Sequence, residues 1–71
     1  MSKDEYLDIV IENINTFQKN NLYSDRDISQ LAWLSITMIS KIKSKKTIPK
    51  IATLRKLKVM GIGIPPLISN Y

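Results

Sequence analysis

The stretch that decides the fold runs from Asp27 to Ile42 and reads DISQLAWLSITMISKI. In its first half Ile28, Leu31 and Ala32 fall at i, i+3 and i+4, the spacing of one helical face. In its second half Ile39 and Ile42 lie three apart, and Ser35 stands just ahead of them, where an N-cap belongs. Neither segment is long enough to bury a stripe alone, so the two must pack on each other. The sequence predicts two short helices joined by a tight turn of about three or four residues, the helix-turn-helix plan.

The flanking segments supply a core for this pair. Lys3 to about Asn20 reads as the first and longest helix, with Tyr6, Val10, Ile14 and Phe17 at i, i+4, i+8 and i+11 and with Leu7 and Ile11 beside them. That stripe is read as a core face rather than a binding groove. Ser2 is placed to cap the helix, and Asp4 and Glu5 sit in the first turn, where the helix dipole favours negative charge. Asn20 and Asn21 are the expected stop residues, because Asn tolerates the left-handed conformation. Ser24 is a natural N-cap for the second helix, with Asp27 as its capping-box partner.

The third helix is expected from Ile36 to about Ser44. With Leu34, Ile39 and Ile42 inward, helical phase places Ile36, Thr37, Ser40 and Lys41 outward, and Met38 reads as a core gap-filler, with a groove contact as the alternative. Pro49 is read as opening a fourth helix, since proline is tolerated in a first turn. Ile51, Leu54, Leu57 and Met60 form its inner stripe, and Arg55, Lys56 and Lys58 point outward. Gly61 is the expected C-terminal cap, Gly63 permits a turn, and Ile64 cannot be helical ahead of Pro65. Pro66 to Tyr71 is read as a last short turn that closes the core or makes a dimer contact. The whole chain, residues 1–71, is predicted to be one compact all-α domain of four or five helices.

The central stretch resembles the helix-turn-helix of the Cro-like (Xre-type, lambda-repressor-like) DNA-binding domains. That family places an aliphatic and then a small residue early in the first helix of the pair, with another small residue three further on. These are Ile28, Ser29 and Ala32 here. A turn residue, an aliphatic and a hydroxyl residue follow, matched by Trp33, Leu34 and Ser35, and aliphatics recur on the inner face as Ile39 and Ile42. Pro49 to Leu57, PKIATLRKL, resembles the family's next helix, which opens with proline and carries a Thr-Leu-x-Lys pattern. The resemblance extends from Ser24 to about Ile64. It departs from the pattern at Trp33, where the family prefers glycine; a positive φ there costs an L-residue roughly 1–2 kcal/mol.

Composition narrows the function independently. Seventy-one residues leave no room for a separate sensing or catalytic module, and a domain of this size buries only about 60% of its unfolded surface, so a partner subunit would help. No cysteine and no histidine is present, which removes disulfides, thiolate metal sites and the usual general base. Both glycines come late, so no phosphate-cradling loop exists, and Asp8 and Glu12 at i, i+4 read as solvated surface. An enzyme is therefore not expected, and neither a cofactor nor a small-molecule ligand. No apolar run approaches the roughly 18 residues of a membrane span, and Met1 leads into a polar, acidic segment, which reads as a soluble cytoplasmic protein.

The net charge of +5 is unevenly placed. All six acids lie at or before Asp27, while the chain from Ile28 onward carries eight Lys or Arg and no acid. Unopposed positive charge is what a polyanion-binding surface needs, because neutralising phosphates releases condensed counterions. A solvated lysine face would give the same composition; joined to the helix-turn-helix pattern, the charge favours nucleic acid.

Under that reading the outer face of the third helix meets base edges. Ile36 and Thr37 suit a thymine methyl, Lys41 can reach guanine O6 or N7, and Ser40 serves a base edge or a phosphate. Phosphate contacts are expected from Ser24, Arg26 and Ser35 at helix starts and from Lys43, Lys45, Lys46 and Thr47 after the third helix. Asp25 is discounted, because a carboxylate repels phosphate. The resemblance implies a partner in double-stranded DNA and a small transcriptional repressor of phage or mobile-element type, working as a homodimer by operator occupancy. Leu67, Ile68 and Tyr71 are the expected dimer contacts. The alternative is a protein-interaction module on the same scaffold, such as an antitoxin or an inhibitor of a nucleic-acid enzyme. A third reading, an amphipathic protein on a membrane surface, fits the stripes but not the helix-turn-helix pattern.

Overall fold

A computed structural model describes residues 3–66, and every regular element in them is helical. Helix α1 spans Lys3–Asn21, α2 Asp25–Ala32, α3 Ile36–Lys43 and α4 Ile51–Val59. The expected cap at Ser2 and the expected turn and dimer contacts at Leu67, Ile68 and Tyr71 lie outside the described residues.

The core forms where the four apolar stripes converge. Tyr6, Leu7, Val10 and Ile14 of α1 meet Ile28 and Ala32 of α2, Ile39 and Ile42 of α3, and Leu54 and Leu57 of α4. Phe17, Leu34, Met38 and Met60 pack at its margin, as the sequence predicts. Helix α2 lies against both α3 and α4, so it is the element on which the pair and the fourth helix are assembled.

Two stripes differ from expectation for one geometric reason. Leu31 is half-exposed instead of buried, and Ser29 is buried in its place. At about 100° per residue, Ile28, Ala32 and Ser29 share an arc of roughly 100°, and Leu31 falls outside its far edge. Ser29 is small enough for that position, and its hydroxyl donates to the Arg26 carbonyl at 2.7 Å, so the buried oxygen is satisfied. Ile51 is likewise half-exposed, because Leu54 and Leu57 set the inward direction and Ile51 lies at the edge of their arc. Pro49 is buried but precedes the helix instead of opening it; Lys50 holds the N-cap position without a side-chain cap.

All four helices end alike. A residue with positive φ follows each: Leu22 at 57°, Trp33 at 57°, Lys45 at 61° and Gly61 at 115°. In each case the next residue's N–H reaches back to the carbonyl five positions earlier: Tyr23 to Gln18 at 2.9 Å, Leu34 to Ser29 at 2.9 Å, Lys46 to Lys41 at 2.9 Å and Ile62 to Leu57 at 3.2 Å. This is the Schellman arrangement, which satisfies carbonyls the helix leaves open. The stop after α1 is therefore Leu22, not Asn20 or Asn21; Asn21 stays helical and donates its side-chain amide to the Phe17 carbonyl. At Gly61 the φ of 115° strains any L side chain, and a Cβ would also press within 3.2 Å of the Phe17 ring.

The turn at Gly61 also delivers Ile62 into the core, where it is fully covered. The segment after it is strapped to α1. Asn13 donates its amide to the Gly63 carbonyl at 2.7 Å, and the Tyr6 hydroxyl donates to the Pro65 carbonyl at 2.7 Å. No helix among the described residues is long and apolar enough to cross a membrane.

Candidate nucleic-acid interface

The candidate surface is built from the N-cap of α2, the turn, and α3 with the loop after it. Ser24 is extended, with φ −83° and ψ 173°; its hydroxyl accepts from Asp27 N–H at 3.2 Å and its own N–H donates to the Asp27 carboxylate at 2.9 Å. That reciprocal pair closes a full capping box with Asp in the role usually held by Glu. Trp33 then takes the left-handed conformation with its side chain 86% exposed. Ser35, extended again, accepts from Met38 N–H at 3.0 Å and starts α3. The turn is thus held by a left-handed cap on one side and a serine cap on the other.

Helix α3 divides cleanly. Ile39 and Ile42 are wholly buried, and Thr37, Ser40 and Lys41 are exposed on the opposite side. Ile36, at the helix start, is half-exposed between the two faces. The four residues assigned to the outer face therefore lie on one continuous surface. Ser44 borders it, with its hydroxyl turned back on the helix to the Ser40 carbonyl at 2.9 Å.

The expected phosphate contacts do not form one set. Ser24, Arg26 and Ser35 are exposed, as are Lys45 and Lys46, while Thr47 is partly covered. Lys43 is placed differently. Its ammonium lies 2.8 Å from the Asp25 carboxylate and 2.6 Å from the Gln18 side-chain oxygen, and Gln18 in turn donates to Asp25 at 2.8 Å. Lys43 thus braces α3 against α1 and α2 instead of pointing away from the protein. The same contacts give Asp25 a structural role at the start of α2. The hydrogen bond from Lys43, with that from Gln18, holds the Asp25 carboxyl below its ordinary range, against a smaller opposing effect of burial.

Lys45 is exposed but pairs with Asp8 of α1, whose hydrogen bond pushes the lysine above its ordinary value. Its backbone carries the left-handed residue after α3, so one position serves both helix termination and charge placement. Lys41 and Lys46 flank it and are exposed. Sequence reasoning missed the Gln18–Asp25–Lys43 group because its members come from three helices and share no spacing. No protein-family model, no curated protein and no solved structure matches the chain.

Proposed function

We propose that this chain binds duplex DNA, with α2 and α3 acting as a helix-turn-helix of the lambda-repressor-like kind and α3 lying in the major groove. The observation that carries the reading is the outer face of α3. It sets a half-exposed Ile36 beside Thr37, Ser40 and Lys41, on a helix whose other face carries the wholly buried Ile39 and Ile42. Exposed aliphatic and hydroxyl groups alternating with one cation suit base edges better than bulk water: methyl contacts for thymine, and an ammonium for guanine O6 or N7. No acid follows Asp27 in the sequence, and although Asp25 and Asp8 pair with Lys43 and Lys45, Lys41 and Lys46 stay exposed for a polyanion to meet.

In this reading Lys46 and Lys45 contact phosphates, with Ser24, Arg26 and Ser35 at the helix starts and Thr47 beyond. Base contacts specify and these position. Lys43 contributes by holding α3 at its angle to α2 instead of touching DNA. The biological outcome is repression by operator occupancy, carried out by a homodimer without cofactor or catalysis. The test is selection of bound sequences from a random duplex pool, followed by titration at several salt concentrations. The expected result is an enriched short motif and an affinity that falls steeply with salt. A chain that enriches no sequence and shows no salt-dependent binding to any duplex is not a DNA-binding protein.

A further inference from the structure

A second surface shares only the turn residue Trp33 with the candidate interface and holds none of the proposed base or phosphate contacts. Leu31 and Ala32 at the end of α2, Trp33 in the turn, and Val59 and Met60 at the end of α4 line an open groove of about 300 Å³, with Arg55 and Lys56 on its walls. Three of its apolar members are uncovered, Trp33 at 86%, Val59 at 88% and Leu31 at 49%, while Ala32 and Met60 form its covered floor. Single exposed apolar residues need no explanation, but three that share one groove make a patch of the kind that marks an interaction site. The Lys56 ammonium donates a long hydrogen bond of 3.4 Å to the Trp33 backbone carbonyl, which joins α4 to the turn.

Charge selects the occupant. The cations on this groove belong to α4, a helix without an acid, in a sequence that holds none after Asp27. A second copy presenting the same groove would bring two cationic, acid-free patches face to face, an arrangement that like charge disfavours. Duplex DNA would satisfy the cations but leave the indole, Leu31 and Val59 without apolar contacts. The complement is a segment that carries both features. We propose that this groove docks an acidic amphipathic segment of another protein, with aliphatic or aromatic anchors against Trp33, Leu31 and Val59 and carboxylates against Arg55 and Lys56.

The test is panning of a random peptide library on the full-length chain, with each recovered peptide then titrated against wild type and variants. Trp33 is the sole tryptophan, so its emission reports occupancy of the groove directly. Recovered peptides should combine Asp or Glu with large apolar residues and shift Trp33 emission to the blue. They should weaken tenfold or more on Val59→Ser, a change at an exposed position that leaves net charge unchanged. The same peptides should bind Lys41→Ala as they bind wild type, which separates this groove from the α3 face and from the DNA reading. A paired Arg55→Glu, Lys56→Glu variant should enrich basic peptides instead. No enriched peptide, peptides of no net acidity, or acidic peptides indifferent to Val59→Ser would each overturn the proposal. So would a blue shift that grows with protein concentration alone, because the occupant would then be a second copy.

Discussion

Trp33 occupies a position where backbone and side chain have opposite preferences. Its φ of 57° is one that L-residues adopt at a cost of roughly 1–2 kcal/mol, and its indole is 86% exposed, so little buried area compensates. Leu22 is the same case, with φ 57° and 90% exposure. Glycine at either site relieves the strain but widens the unfolded ensemble, which returns roughly 0.5–1 kcal/mol. Trp33→Gly and Leu22→Gly should therefore each stabilise the fold by about 0.5–1 kcal/mol, read as a higher midpoint in thermal or urea melts. A loss of 2 kcal/mol or more, on the order of a buried side chain, would mean that these side chains are covered in solution. Asp25 gives a different residue-scale expectation. Its carboxyl is held below the ordinary value near 3.9, so its contribution is present above that pH and is lost as pH falls through the lower folded value. Asp25→Asn should destabilise the protein at neutral pH, and the gap between variant and wild type should close in acid. A gap that stays constant from neutral pH to about pH 2 would show that the carboxylate charge contributes nothing.

At the scale of elements, existence and order were legible from periodicity, and the buried arcs were legible to within one residue. Ile28, Ala32, Ile39, Ile42, Leu54 and Leu57 are core residues by spacing and by structure. Leu31 and Ile51 differ because a short helix shows too few apolar positions to fix the centre of its arc, and Ser29 fills the gap by donating its hydroxyl to the Arg26 carbonyl. Ile62 was readable in principle: an aliphatic directly after a glycine cap often packs back on the helix. The lysines after α3 were legible as charges but not as roles, because nothing local in the sequence joins Lys43 to Gln18 and Asp25. That difference can be measured on the DNA reading. Lys41→Ala should relax preference at one base-pair position and cost roughly 1–3 kcal/mol on the best site. Lys46→Ala should weaken all duplexes alike and lower the salt slope by about one unit. Lys43→Ala should leave the salt slope nearly unchanged and lower the melting midpoint, since its ammonium joins helices. Quantitative mobility shifts across a salt series, paired with melts, distinguish the three; a full unit of slope lost on Lys43→Ala would return that lysine to the phosphates.

Along the molecule as a whole, acids and bases are separated by position. Acids are confined to α1 and the first turn of α2, and two of them, Asp8 and Asp25, reach lysines in or just after α3. The acidic end of the chain therefore orients the basic end, while Lys41 and Lys46 stay exposed. On the DNA reading, a single α3 of eight residues would cover only a few base pairs, too few to single out a site among the millions of competitors in a genome. Doubling the contact through a two-fold axis is the direct remedy, and it fixes geometry: two recognition helices on one face of B-DNA must lie about one helical turn apart. The selected sites should then be pseudo-palindromes with half-site centres roughly 34–36 Å apart. Sedimentation of the complex should show two chains per site, and cleavage footprinting should show two protected stretches on the same face of the duplex. Binding to a duplex that keeps only one half-site should be weaker by several orders of magnitude. Inserting half a helical turn, about five base pairs, between the half-sites should cost nearly as much, because the second α3 then faces away from its groove. Equal affinity for the spaced and unspaced sites would mean that the monomers bind independently, and the specificity would have to come from something other than the pairing of two helices.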